Sequence, residues 1–176
     1  TSGTMAVGVD FQRFRAETGL TDSYRVKESV SESPFDYWSH ALLYLPEFPP
    51  RQFGDRLDLY YDAMAGEIAR LIRAASGHTL VLFTSYSAMS AVKERLLELG
   101  TFYPLLAMGH NPSRTMQQFQ EMPGAVLLAT GSAWEGMDFP GDMVSLLVIP
   151  KLPFPYPNEL KEKQKEQYSS LQDFIN

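Results

Sequence analysis

Residues 79–89 read TLVLFTSYSAM. The first six are strand formers in a nearly continuous apolar run, without the alternation of a strand that has one wet face. Such a run predicts a strand buried on both faces, and hence a parallel sheet covered by helices. At its end three hydroxyl residues, Thr84, Ser85 and Ser87, surround Tyr86 where a helix begins. Hydroxyls and free N–H groups at such a junction can cradle a phosphate, and a tyrosine can stack on a base. A serine in that place can equally do no more than cap the helix.

The flanking segments agree with a strand and helix alternation. Upstream, Tyr61, Met64, Ala65, Ile68, Leu71 and Ile72 follow helical spacing between Leu57 and Ala75, with Gly77 placed to end the helix. Downstream, a helix through Met89, Val92, Leu96 and Leu99 stops at Gly100, and PLLAM at 104–108 reads as the next strand. Asn111 before Pro112 is a good helix start, with Met116 and Phe119 on one side and Pro123 and Gly124 closing the turn. Two further apolar runs, Ala125–Ala129 and Met143–Ile149, read as buried strands, and a polar helix is expected from about Asn158. Before residue 57 the pattern is weaker. DFQRFRAETGL at 10–20 predicts a short helix capped by Gly19, and HALLYLP at 40–46 predicts a short buried strand. The fold class is therefore α/β, a three-layer sandwich over a mostly parallel sheet, in one domain over residues 1–176. Ligands of such sheets bind at the carboxyl ends of the strands, which singles out the loops after Thr84, Met108, Thr130 and Ile149.

Composition bounds the chemistry. The hydrophobic fraction of 44% and charged fraction of 20% are those of an ordinary globular domain. A formal charge of −6 gives no overall basic field toward a polyanion, although a local groove can still bind phosphates. With no cysteine, disulfides, thiol catalysis and thiolate metal sites are excluded for this chain. No apolar run approaches the roughly 20 residues that span a bilayer, so no membrane partner and a cytoplasmic location are expected.

The turn TGSAWEGMDFPGD, 130–142, holds three glycines, a serine, a tryptophan and carboxylates between two strands. Gly131, Gly136 and Gly141 permit positive φ or close backbone approach, Ser132 offers a phosphate contact, and Glu135 and Asp138 can accept hydrogen bonds from a ribose or an arginine. The plain alternative is a loop whose Trp134 packs on the core. After the last strand, Lys151 precedes a proline-stiffened PFPYP, suited either to a polyanion or to a simple surface connection. No G-x-x-x-x-G-K-[ST] phosphate loop and no acidic metal-holding quartet occurs, and His40, His78 and His110 lack ligand-like spacing. Gly131-Ser132 does not fit the G-x-S-x-G of serine hydrolases.

These residues resemble a known family. GSAWEGMDFPG is similar to motif V of the XPD/DinG branch of superfamily 2 helicases, and LPFPYP continues in the same way; TSGTM at the start resembles motif III, TLVLFTSYSAM resembles motif IV, and SPFDYWSHALLYLP matches the connecting stretch of DinG-like proteins. The resemblance implies the second RecA-like domain of an ATP-dependent 5′–3′ DNA helicase, a nucleotide-binding fold without its phosphate loop. Ser2, Gly3 and Thr4 would couple the nucleotide site to DNA; Thr84, Ser85, Tyr86, Ser132, Trp134 and Lys151 would face single-stranded DNA; Glu135, Gly136 and Asp138 would face ATP or the arginines that sense it. ATP and Mg would be held with the first motor domain, the chain's other partner, since no metal ligands are expected here. The arginine-bearing motif VI would follow residue 176, so the isolated chain is expected to be inactive. A stand-alone α/β nucleotide-binding regulatory module or a protein-interaction domain is the rival expectation.

Overall fold

The computed structural model describes residues 5–47, 57–109 and 111–153. Contacts divide the chain into two units, Thr1–Pro46 with Tyr156–Asn176, and Glu47–Pro155. The second unit carries the sheet.

In that unit β1 (Thr79–Phe83), β2 (Leu105–Ala107), β3 (Val126–Thr130) and β4 (Leu146–Val148) form one sheet in the order β2-β3-β1-β4. Every pairing is parallel. β1 and β3 lie in the centre and are buried along their whole length, as a strand without hydrophobic alternation requires. Successive residues point to opposite faces. Val81, Phe83, Val126 and Leu128 meet the helices α3 (Leu57–Ala74) and α4 (Tyr86–Glu98) in one core. Leu80, Leu82, Leu127 and Ala129 meet Phe119 of α5 (Pro112–Glu121), together with Met108 and Ala133, in the other. The three-layer α/β arrangement is thus as expected.

Local chemistry sets the helix ends. α3 buries Tyr61, Met64, Ala65, Ile68, Ala69 and Ile72, while Leu71, assigned to the same stripe, is only half-buried. The helix is closed by Gly77 at φ +82°, whose N–H donates to the Ile72 carbonyl at 2.9 Å. A Cβ at Gly77 would fall on the carbonyl of Gly124, so the turns before β1 and β3 touch backbone to backbone. Asn111 caps α5, its side chain accepting from Arg114 N–H at 3.2 Å, with Pro112 in the first turn. Arg95 of α4 fastens that helix to α3. Its guanidinium bonds Asp62 and Asp58, the latter at 2.8 Å, donates to the Ala91 carbonyl at 3.0 Å and lies 5.7 Å from the centre of the Tyr61 ring.

The first unit is less regular. α1 (Gln12–Thr18) ends at Gly19 in the left-handed region, as predicted, and Arg15 ties down the following turn through the Leu20 and Thr21 carbonyls and Glu28. α2 is a single turn, Tyr37–His40, capped by Asp36. The carboxyl of Asp36 lies below its usual range because it accepts hydrogen bonds from Ser39.

Some expectations need correction, and others fall outside the described residues. HALLYLP forms no strand: Leu42 is 94% exposed, Leu43 and Leu45 are exposed too, and no strand among the described residues pairs with it. An apolar run becomes a strand only where a ladder receives its N–H and C=O groups. The last strand is shorter than 143–149 and is not buried; Met143 belongs to a 3₁₀ turn, Gly141–Met143, and Leu147 is 51% exposed, β4 having β1 as its one neighbour among the described strands. Leu99 is exposed at the C-cap of α4, three residues past the stripe's last core member, Leu96. The helix expected from Asn158, and the 154–157 part of the proline-rich exit, lie outside the described residues.

Candidate functional site

Parallel register brings the carboxyl ends together. Phe83 lies opposite Thr130, and Val81 opposite Val148, so the loops after β1, β3 and β4 leave one edge of the sheet. β2 joins the same edge through Ala107 opposite Leu128.

After β1, Thr84 is exposed and Ser85 is the N-cap of α4, its Oγ accepting from Ala88 N–H at 3.3 Å and lying 3.2 Å from Ser87 Oγ. Capping is therefore what the geometry gives Ser85. Tyr86, the first residue of α4, is 61% exposed. Thr84, Ser85 and the exposed Lys151 line one recess of about 30 Å³, together with Pro150 and the α3 residues Tyr60 and Tyr61. Tyr61, expected in the core from its helical spacing, lies there, with Tyr60 partly buried beside it.

After β3 the chain enters a 3₁₀ turn, Gly131–Trp134, and reaches Gly141–Met143 through irregular backbone. Gly131, Gly136 and Gly141 all have positive φ, between +63° and +73°, which is the reason the turn carries glycines there. Ala133 is buried, and Trp134 is half-buried against the core. The indole Nε1 of Trp134 donates to the Phe83 carbonyl at 2.9 Å. This bond ties the turn after β3 to the last residue of β1. Met137 and Phe139 also pack on that core, Phe139 edge-on to Phe119 at 6.0 Å. Glu135, Gly136 and Asp138 are exposed. Gly136 borders an apolar cleft of about 360 Å³ that includes Trp134, Leu80, Leu82 and Leu147.

The candidate residues thus form two sets at one sheet edge. Thr84, Ser85 and Lys151 share a recess on the α3 and α4 side, and Trp134 and Gly136 share a cleft on the opposite face. The Trp134 bond joins them. Nothing in the sequence marks a backbone carbonyl as the partner of an indole, so this link was not legible there. Ser2, Gly3, Thr4 and His110 lie outside the described residues, as does the side chain of Ser132. His78 is a structural residue, its Nδ1 2.7 Å from the Asp142 carbonyl. Among the described residues no three His, Cys, Asp or Glu side chains are grouped to hold a metal, and no helix is long and apolar enough to cross a membrane.

A family model described as the helicase C-terminal domain matches residues 68–173. The chain belongs to the helicase C-terminal domain family. The match takes in β1 through β4 and both loop sets. The chain is also 32% identical over 98% of its length to the ATP-dependent DNA helicase YoaA of Haemophilus influenzae, covering 26% of that protein. It is 34% identical over 90% of its length to the ATP-dependent helicase DinG of Mycobacterium tuberculosis, covering 24% of it. A third relative, the 3′-5′ exonuclease DinG of Bacillus subtilis, is 32% identical over 90% of the chain, which covers 17% of it. This helicase C-terminal domain therefore spans about a quarter or less of these curated relatives.

Proposed function

We propose that the chain is the second RecA-like motor domain of an ATP-dependent 5′–3′ DNA helicase, and that its two loop sets couple nucleotide hydrolysis to movement on single-stranded DNA. The observation that carries this is the hydrogen bond from Trp134 to Phe83, because it makes the two loops one mechanical unit. On one side Thr84, Ser85, Tyr86 and Lys151 face the strand, with Ser132 contributing from the turn. On the other, Glu135, Gly136 and Asp138 face the nucleotide cleft shared with the first motor domain. Trp134 serves as the brace between them. The exposed carboxylates suit a wall that orients a ribose or an arginine finger when the cleft closes. ATP supplies the phosphoryl group, and Mg is held by the first motor domain. The family match and the names of the relatives support this reading.

The test uses the full-length parent protein. Trp134→Phe keeps an aromatic ring in the turn and deletes the N–H donor together with part of the indole's packing on the core. A lost hydrogen bond is worth about 0.5–1.5 kcal/mol, which corresponds to roughly a 2- to 10-fold fall in DNA-stimulated ATPase. Strand separation should also require a 5′ and not a 3′ single-stranded tail. Wild-type stimulation in Trp134→Phe would remove the coupling role, and unwinding from 3′ tails would overturn the polarity.

A further inference from the structure

We infer that residues 41–46 are a donated strand: in the parent protein they enter the sheet of the motor domain that precedes this one, at a position covered on both faces. The inference rests on the function proposed above, which places a motor domain before this one, and it concerns a segment to which that function gives no part.

Exposure makes a cover necessary. Leu42, Leu43 and Leu45 are 94%, 82% and 79% exposed, and Trp38, one helical turn before Leu42, is 99% exposed. Residues 41–46, ALLYLP, carry no charge. An uncharged apolar segment held open to water is an aggregation hazard, and large apolar side chains clustered in this way mark a surface that a partner covers.

The direction of the side chains decides the kind of cover. α2 stops at His40, and Ala41 is extended, with φ −128° and ψ 135°. From there to Glu47 no helix, turn or bend interrupts the chain. In an extended chain Leu43 and Leu45 point to one side and Leu42 to the other. A flat surface laid against the run would bury one side and leave the other wet. A second copy paired edge to edge would make a two-stranded ribbon with both sides wet. Burial of both sides needs a place in a sheet with a layer on each face, the setting that β1 and β3 have in this domain. Pro46 supplies the end of the strand, since proline has no N–H to give to a ladder.

Three boundaries point to the sheet that receives it. The run joins no strand of the described sheet. Contacts assign Thr1–Pro46 to a different unit from the one that carries this sheet. The helicase C-terminal family match begins at residue 68, beyond the run. The alignment to the longer YoaA of Haemophilus influenzae nevertheless takes in 98% of the chain, which covers 26% of that relative. A segment that lies on the amino-terminal side of the C-terminal domain, and has no place in its sheet, suits the domain before it.

The experiment is hydrogen exchange of the full-length parent protein, read by mass spectrometry on peptides that cover residues 41–46. Exchange at 42–45 should be slowed roughly a hundredfold or more relative to a free chain. Benzoylphenylalanine in place of Trp38 should, on irradiation, cross-link to a peptide from before residue 1. Leu42→Glu and Leu43→Glu, which charge opposite sides of the strand, should each lower the melting temperature of the parent by several degrees. Free-chain exchange at 42–45 would overturn the inference, whatever the variants do. Loss of stability in only one variant, or in neither, would mean that the run is not buried on both sides, and the donated strand falls. A cross-link confined to residues 1–176 would return the run to this domain, and one that forms between molecules in proportion to protein concentration would give it to a second copy; either defeats the inference. Its failure is separable from that of the proposed function. Unwinding from 5′ tails with free exchange at 42–45 keeps the helicase and removes the donated strand, whereas protection and cross-linking before residue 1 in a protein that does not unwind DNA keep the strand and remove the helicase reading.

Discussion

At Gly77 the backbone leaves no choice of residue. A side chain there is strained twice, by the positive φ and by collision with the Gly124 carbonyl, which is backbone and cannot swing away. Gly77→Ala should therefore destabilise the fold by about 2 kcal/mol or more, read as a lowered denaturant midpoint, whereas Gly131→Ala, with open space around it, should cost less. Glu135 and Asp138 present the opposite case. Both are exposed, so Glu135→Ala and Asp138→Ala should leave the melting temperature within a few degrees of wild type while lowering DNA-stimulated ATPase in the parent protein. Parallel denaturation and ATPase measurements check this, and unchanged stimulated ATPase in both variants would remove the turn from the coupling path. Single residues were legible in the sequence where their chemistry is local. The Asn111 cap and the Gly19 and Gly77 helix stops follow from neighbouring residues, whereas the partner of Trp134 lies at the end of another strand.

Among the elements, α3 and α4 were readable because their stripes match a surface that needs covering, and β1 and β3 because burial on both faces leaves a continuous apolar run. The weaker assignments share one cause. Apolarity reports a wish to be buried and says nothing about whether a ladder is available, so residues 41–46 join no strand of the described sheet and β4 shrinks to three half-exposed residues. What joins α3 to α4 beyond apolar contact is Arg95, and its two carboxylate partners are exposed, which limits the energy of the pairs. Arg95→Ala is expected to lower stability by about 1 kcal/mol, the lost stacking on Tyr61 included, and Arg95→Lys should recover only part of it. Hydrogen bonding to Asp62, and then to Asp58, raises the guanidinium pKa above its usual value. A raised basic pKa gives stability that is complete below the unfolded value and fades only as pH climbs through the folded one, so Arg95 stays charged across the neutral range. Urea midpoints of the two variants at neutral pH measure the contribution.

For the molecule as a whole, fold and family were legible because the order of strands, helices and loop chemistries runs the length of the chain, and the family match spans the same sheet. The sequence contains no phosphate loop, and the described residues offer no metal-ligand cluster. Phosphoryl transfer needs a metal-held triphosphate and cationic charge stabilisation together. The 176-residue chain alone should accordingly unfold cooperatively on heating and yet release no phosphate from ATP, with or without single-stranded DNA. Turnover by the purified chain would show a complete active site where none is expected. The strand order also governs how the chain can be born. β1 borders only β3 and β4, so when TLVLF leaves the ribosome it has no mate until α4, β2 and α5 have all been synthesised. For that interval a strand that will be buried along its whole length is an unpaired template, open to any other chain passing by. Among the described residues, the helix that packs on β1 and is already made is α3, so variants that loosen α3 should raise aggregation during expression more than their loss of stability after folding would suggest.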